Sequence, residues 1–432
     1  MTKKTAIALL ATLAGCQPDL ASLEPKTAAE CGGAAKPCGW KCVPLDDPST
    51  GCARTECSPC PVDQHEVGVC GPAGACQTIC AEGWGDCNGN PDDGCERSTT
   101  EDEQNCGACS RVCDGTCTGG YCPPTAHVGL GGSATGIALA PGGRIFALSA
   151  SSGGSLHEID PSGTGSATGV TDLGAVGRLE ADPVSTAVAP VLYAIGSNPV
   201  PQDVVWSIQV ATSTEATVAP PGGVLGTPIS DLAVGPVRLW YATPSLVDLF
   251  WVMKDLSVEA STFANDYGAR SVTSVWLPDG NTATPDDWIY LTSPDRGGSV
   301  WRVSDGITPA LDPTPVATGQ GSIFRIASRS FGDGSAMLAW TTLDDGGVTM
   351  MLAPDGPAVK VHATGVATQW MDVFVDGQGA YWTDLDAGAV GEVRYDSTRL
   401  ALALGVAPIS LVADGTSVWF TDWNGTVYRA PR

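Results

Sequence analysis

Three sets of side chains in this 432-residue sequence have the types and spacing to do chemistry. In "DCNGNPDDGCE", residues 86–96, Asp86, Asn88, Asn90 and Asp93 string oxygen ligands through a short loop, as a calcium site does. Against the pattern D-x-[DN]-x-[DN]-G-x5-E the first half fits and the second fails. Pro91 stands where the glycine belongs and Arg97 where the bidentate glutamate belongs. Cys87 and Cys95 offer the other reading, a tight turn stapled by disulfides; that reading is favoured, with calcium kept open as a cofactor. The second set is Asp295, Asp344, Asp345, Asp384, Asp386 and Asp422, each just beyond a short apolar run bearing an aromatic residue. Pooled on one rim, these carboxylates could hold a cation or a basic partner. Singly, an aspartate in such a turn bonds its own backbone. The third set is His157 beside Glu158 in "LHEID", a sparse basis for catalysis. After residue 122 the other histidines are His127 and His362, and there is no nucleophile motif, Gly-rich phosphate loop or HExxH.

The elements that must position these residues are short strands. Beyond Cys122 the chain alternates apolar runs with Gly, Pro, Asp and Ser, the signature of strands and turns. Seven runs repeat: "RIFALSA", "VLYAIGS", "RLWYATP", "WIYLTSP", "LAWTTLD", "AYWTDLD" and "VWFTDWN". Their aligned aromatics, Phe146, Tyr193, Tyr241, Tyr290, Trp340, Trp382 and Phe420, are 47, 48, 49, 50, 42 and 38 residues apart. A four-stranded propeller blade has a period of about 40–50 residues. The last repeat meets the C-terminus before its fourth strand, and "TAHVGLGGSAT" supplies a spare strand ahead of the first. If the spare strand completes the last blade, the ring closes and no sheet edge is left exposed. The sequence therefore predicts a mainly β fold, a seven-bladed β-propeller over 123–432, with a pair of β-sandwiches as the weaker alternative.

"AYWTDLD" and "VWFTDWN" resemble the YWTD and NHL-like propeller repeats. The resemblance implies a ligand-binding face on the rim that carries the second set of aspartates. Many such relatives have six blades, so six is the alternative count. Propeller lyases and lactonases use a histidine or carboxylates with a divalent metal, which is what "LHEID" would have to supply. The tryptophans, among them Trp206, Trp240, Trp251, Trp276, Trp288, Trp301, Trp370 and Trp423, suit either carbohydrate stacking or packing between blades.

All 17 cysteines fall between Cys16 and Cys122, which marks a second region by composition. Setting Cys16 aside leaves an even 16, and a short cysteine-dense module relies on disulfides in an oxidising compartment. The pairs Cys57-x2-Cys60 and Cys106-x2-Cys109 also permit zinc or redox chemistry, but His65 is the module's only histidine. The start, "MTKKTAIALLATLAGCQPDL", has a basic then apolar then small layout that fits an export signal and is too short to span a bilayer. Leu13-Ala14-Gly15-Cys16 resembles the lipobox of bacterial lipoproteins, which implies acylation of Cys16. Gln17 after it favours the outer membrane by that family's sorting rule. "CAEGWGDCNGNPDDGCE" and "NCGACSRVC" resemble cysteine-rich modules of exported myxobacterial surface proteins.

The expected organisation is a signal peptide at 1–15, a lipidated tether at 16–30, a disulfide module at 31–122 and the propeller at 123–432. The net charge is −25, and both mature regions are acidic, which excludes nucleic acid as a partner. The expected function is a lipid-anchored binding or scaffold protein on the surface of a Gram-negative bacterium. It would present its propeller to an extracellular protein or glycan. A metal-dependent propeller hydrolase or lyase is the alternative, and catalysis is the weaker expectation.

Overall fold

Short apolar strands joined by tight turns pair with their immediate neighbours in the chain, and that local pairing builds a seven-bladed β-propeller. The computed structural model describes residues 25–432, apart from 54, 114, 151–153, 162–166, 174, 199–201, 219–227, 244–247, 255–260, 265–268, 277–286, 295–296, 305–312, 332–334, 354 and 396–398. The export signal, Cys16 and Asp295 therefore lie outside the described residues.

Each blade is a four-stranded antiparallel sheet whose innermost strand comes first in sequence. The innermost strands are Ala134–Ala140, Ala175–Ala181, Asp231–Val234, Ser271–Trp276, Ile323–Ser330, Val373–Val375 and Pro408–Ala413 for blades 1 to 7. Blade 7 contains Ser417–Asp422 and Thr426–Pro431, and its fourth strand is Thr125–Gly129 from the other end of the domain. There Val427 pairs with Val128 and Tyr428 with Ala126. Completing the last sheet with the first strand satisfies its edge hydrogen bonds.

Alternation along the second strand of each blade explains the aromatic repeat. Successive side chains point to opposite faces, so each blade presents one face to each neighbour. Phe146 and Leu148 of blade 1 pack on Leu192 and Ala194 of blade 2. Tyr193 packs with Tyr241, Trp240 with Ile289 and Leu291, and Tyr290 with Trp340. Ala339 meets Trp382, Tyr381 meets Phe420, and Trp419 closes the ring on Ile145 and Ala147. The seven aligned aromatics are all buried, with at most 5% of their surface exposed. Gly391 shows how tight this packing is: a Cβ there would lie 2.1 Å from the Trp382 ring.

The cysteine-rich region has little regular structure: a one-turn helix, Ala28–Cys31, and three two-stranded ribbons. Five disulfides, Cys31–Cys42, Cys38–Cys57, Cys52–Cys70, Cys60–Cys76 and Cys80–Cys95, substitute for a core. All 16 cysteines from Cys31 onward are disulfide-bonded.

By contacts the chain divides at Ser98–Thr99, whereas composition puts the change at Cys122. Residues 99–122 are grouped with the propeller because they pack on blades 6 and 7. Cys122 forms a parallel bridge with Ala403, and Ala108 packs on the cluster around Tyr381 and Phe420. Arg111 donates Nη2 to the carbonyls of Leu402 at 2.9 Å and Pro431 at 3.5 Å. The disulfides Cys106–Cys117 and Cys113–Cys122 brace this stretch, a clasp immediately ahead of the closing strand.

Candidate functional site

The innermost strands carry the site. In four of them the ladder skips residues near the strand's start, between Ala134 and Gly136, Val176 and Leu179, Ile323 and Ile326, and Pro408 and Ser410. Such irregularities release residues from pairing and re-aim their side chains. The released residues include Thr135, Gly177, Arg178, Arg325 and Ile409, and all five line a cavity of about 310 Å³. The same end of the ring receives the hairpins between second and third strands, and one of them places Trp423 on the cavity wall.

One position per blade defines a belt around the channel. It directly precedes Ile137, Leu179, Leu232, Val272, Ile326, Val373 and Leu411, one buried apolar residue per inner strand, and reads Gly136, Arg178, Asp231, Ser271, Arg325, Asp372 and Ser410. Arg178 spans blades: Nη1 lies 3.0 Å from Asp372 Oδ1, Nε 3.5 Å from Asp231 Oδ1, and Nη2 2.7 Å from Glu180 Oε1. Arg325 Nη1 lies 3.0 Å from Asp231 Oδ1 and donates to the Ser230 carbonyl at 2.9 Å. Asp231 Oδ1 thus takes ion pairs from two arginines without a well-aligned hydrogen bond. Its Oδ2 accepts from the Ser271 hydroxyl and from Val272 N at 3.2 Å. Asp372 Oδ2 accepts from Ser410 Oγ at 2.8 Å and Leu411 N at 3.3 Å. The remaining position is Gly136, where a Cβ would meet the Gly177 carbonyl at 2.9 Å. The belt therefore has a gap beside Thr135.

Burial alone would lower the Arg178 pKa, but Glu180, Asp372 and Asp231 outweigh it and hold it above the ordinary guanidinium value. Burial in the channel raises Glu180, with Arg178 opposing. Both aspartates are almost fully covered, at 1% and 2% exposure. The walls above the belt are apolar: Ile195, Ile229, Trp370 and Ile409. Trp370 is fixed by donating Nε1 to the Ile409 carbonyl at 2.8 Å and by an edge contact with Phe324. Trp423 is 60% exposed at the mouth.

Of the residues picked out from sequence, Trp370 and Trp423 line the cavity, while the described aspartates and histidines fall elsewhere. Asp344, Asp345, Asp384, Asp386 and Asp422 occupy or adjoin second-to-third-strand hairpins, as expected, but the described oxygens bond locally. Asp384 Oδ1 accepts from Asp386 N and Ala387 N, both at 3.0 Å, and from Thr368 Oγ1 at 2.9 Å. Asp386 Oδ2 accepts from Gln369 N at 2.8 Å. Asp422 Oδ1 accepts from Asn424 N at 3.0 Å and Thr426 N at 2.8 Å, and Asp345 pairs with Lys360 and Thr342. In the cysteine-rich unit, Asp86 Oδ1 accepts from Gly89 N at 2.7 Å and Asn90 N at 3.1 Å. Asn88 Oδ1 accepts from Asn90 N at 2.7 Å, and its amide donates to Asp93 Oδ2 at 3.0 Å. This loop is held by its own backbone and by disulfides at Cys87 and Cys95. The propeller's three histidines sit on third or fourth strands, away from the channel. His157 neighbours a Glu158 already paired with Arg144 at 2.7 Å, His127 bonds the Asp160 carbonyl, and His362 packs on Trp382. Two cysteine triplets bring their sulfurs within 4.8 Å of one another, Cys52 with Cys60 and Cys76, and Cys106 with Cys113 and Cys117. All six are in disulfides, so neither offers thiolates to zinc.

The belt was missed by sequence reasoning, yet it left a trace. A charged or hydroxyl residue interrupts apolar runs at one register, as in "AVGRLEA", "ISDLAV", "IFRIAS" and "WMDVFV". Aligning the repeats on their first strands rather than on their aromatics would have exposed it.

No protein-family model matches this chain, and no curated protein matches it either. Solved structures resemble it in fold. Virginiamycin B lyase from Staphylococcus aureus superposes with a TM-score of 0.52 and 11% identity, covering 69% of this chain and 95% of that one. A streptogramin B lyase gives 0.53 and 13%, covering 71% and 96%. Hydrazine synthase from Kuenenia stuttgartiensis gives 0.53 and 13%, covering 70% and 96%. At these identities the likeness is one of architecture: this chain contains a seven-bladed propeller.

Proposed function

We propose that this is an exported, lipid-anchored binding protein that takes up a ligand at the mouth of its propeller channel. The observation that carries this reading is the belt under an apolar cavity. A site using a metal with carboxylates and histidine needs open acidic oxygens, whereas Asp231, Asp372 and Glu180 are all held by Arg178 or Arg325. Two guanidinium groups fill the place where a cation would sit. What remains is a pre-formed concave pocket with apolar walls and a few fixed polar groups, the usual make-up of a small-molecule site. The alternative lyase reading draws on the architecture shared with the streptogramin-type lyases; the histidines on outer strands weigh against it.

Ligand uptake stabilises the folded state by mass action, so thermal shift against fractionated cell-envelope extracts tests the reading. A fraction should raise the melting temperature of the wild type and fail to raise that of Trp423→Ala. A shift that survives in Trp423→Ala, or no shift with any fraction, overturns the channel mouth as the binding site. The anchor is tested separately: Cys16→Ala should abolish metabolic labelling by palmitate. An outer-membrane or cell-surface location follows from the signal and from Gln17. Disulfides at every cysteine from Cys31 onward are compatible with export.

A further inference from the structure

We propose that the channel mouth selects a neutral, largely apolar molecule that offers a carbonyl oxygen to Arg325; this rests on the channel mouth being a binding site. The belt leaves part of its hydrogen-bonding capacity unused. Asp231 has both oxygens engaged, and so has Asp372. Arg178 directs Nε, Nη1 and Nη2 to acidic oxygens. Ser230 donates its hydroxyl to the Arg270 carbonyl at 2.6 Å, and Ser410 donates to Asp372. Arg325 differs. Its Nη1 is engaged, while its Nε is buried with no partner among the described residues. Thr135 Oγ1, at the gap in the belt, is also buried without a partner among them. A guanidinium carries five N–H donors and no acceptor, so the surplus at this floor is in donors. The group that answers a donor surplus is an oxygen acceptor.

Charge then decides which acceptor. The network holds two cations, Arg178 and Arg325, and three acids, Glu180, Asp231 and Asp372, within a protein of net charge −25. A carboxylate entering here would add to an existing negative excess and would lose its own hydration. An ammonium group would meet guanidinium donors and saturated carboxylates. A neutral carbonyl meets neither penalty. The walls supply the rest: Ile195, Ile229, Ile409 and Trp370 suit an apolar body, and Trp423 can stack over it. At about 310 Å³ the cavity is at the small end of ligand sites. It fits one aromatic or branched group with its carbonyl, either free or projecting from a larger molecule.

Matched probes test the class on the intact chain. N-acetyl-phenylalanine amide is neutral, N-acetyl-phenylalanine is a carboxylate, phenylalanine amide is a cation, and methyl α-glucopyranoside is neutral without a carbonyl. Titration followed by tryptophan fluorescence and saturation-transfer NMR should rank the neutral amide first, by about tenfold over either charged relative. Trp423→Ala should weaken that binding about tenfold with an unchanged melting temperature, and Thr135→Val, which keeps the volume, gives a second folded variant that should weaken it less. A carboxylate, amine or sugar that binds tighter than the neutral amide overturns the ligand class and leaves the channel mouth standing as a site. No saturable binding by any probe overturns both readings. Binding of the amide that ignores Trp423→Ala and Thr135→Val places it elsewhere, which overturns both as well.

Discussion

The propeller buries arginines in two places and treats them differently. In the channel, Arg178 and Arg325 come from inner strands of blades 2 and 5 and are neutralised by carboxylates from blades 2, 3 and 6. In the clasp, Arg111 comes from the loop stretch 99–122 and is answered by neutral carbonyls of Cys106, Leu402 and Pro431. Burial pushes the Arg111 pKa down to about 10, with Glu392 opposing, whereas the acids around Arg178 reverse the effect of burial. Nearby Glu392 is fully buried, accepts from Tyr381 OH at 3.2 Å and lies 3.1 Å from Arg394 Nε. The channel network opens on a cavity. The clasp is covered and braced by two disulfides. An arginine that tethers a chain segment needs only backbone acceptors and covalent bracing. A ring of seven blades that must hold an open channel in fixed geometry balances charge against charge.

The comparison breaks first if the two arginines prove equivalent. Arg178→Met leaves three buried or half-buried acids facing Arg325 alone, and removing one partner of a buried ion pair costs about 3–5 kcal/mol. Chemical denaturation at pH 7 should show a loss of that size. The loss should narrow as the pH falls into the carboxylate range, because protonating Glu180, which burial already raises, removes part of the unpaired charge. Arg111→Met gives up hydrogen bonds to carbonyls and should cost about 1–3 kcal/mol, with a shallower pH dependence that comes through Glu392. If Arg111→Met costs as much as Arg178→Met, or if the Arg178→Met loss is flat with pH, the distinction fails.

The next effect sharpens the clasp's side. The double replacement Cys113→Ser/Cys122→Ser removes a bridge beside the closing strand, and loss of a native disulfide costs roughly 2–5 kcal/mol. Because Cys122 lies three residues before Thr125, the loosened segment should be the blade 7 edge. Hydrogen exchange should quicken at Val128 and Val427, which pair there, before it quickens in blades 2 to 5. Uniform quickening across the ring would mean that the clasp stabilises the fold without guarding its closure.

Much of the architecture was legible because propeller packing repeats one demand per blade. Each second strand needs a large buried group against a neighbouring blade, so Phe146 through Phe420 recur at spacings of 38 to 50 residues. The closing strand was legible because "TAHVGLGGSAT" offers a strand ahead of the first repeat, and that strand completes the last sheet. The belt was not, because closure makes neighbours of residues as far apart as Arg178 and Asp372, and no local spacing encodes that contact. The hairpin aspartates were read as turn residues, with a pooled rim and bonding to their own backbone as the two readings. In the structure Asp384 and Asp422 turn their Oδ1 atoms onto the N–H groups that follow, as the second reading describes. Arg111 carried no signal at all, since "SRVC" reads as solvated loop until the carbonyls of Leu402 and Pro431 are placed beside it.

The smallest expected effect asks whether the clasp carries an ion pair after all. Burial raises the Glu392 pKa above the ordinary glutamate value of 4.5, with Arg394 opposing and Asp376 adding to the rise. An acid whose pKa is raised by folding contributes stability that is complete below its unfolded value and fades as the pH climbs through its folded one. Glu392→Gln cannot ionise, so it escapes that fade. Near pH 4 the variant and the wild type should have similar stability, since both present a neutral side chain to Tyr381. From about pH 4.5 upward the variant should gain steadily on the wild type. All other carboxylates are common to both proteins and cancel in the difference. Melting temperatures of the pair at half-unit steps from pH 4 to 8 read the slope directly. A variant that loses ground as the pH rises would mean that Glu392 is held ionised by Arg394 and Arg432. The clasp would then be a second charge-balanced network, and the contrast with the channel would lie in its covering alone.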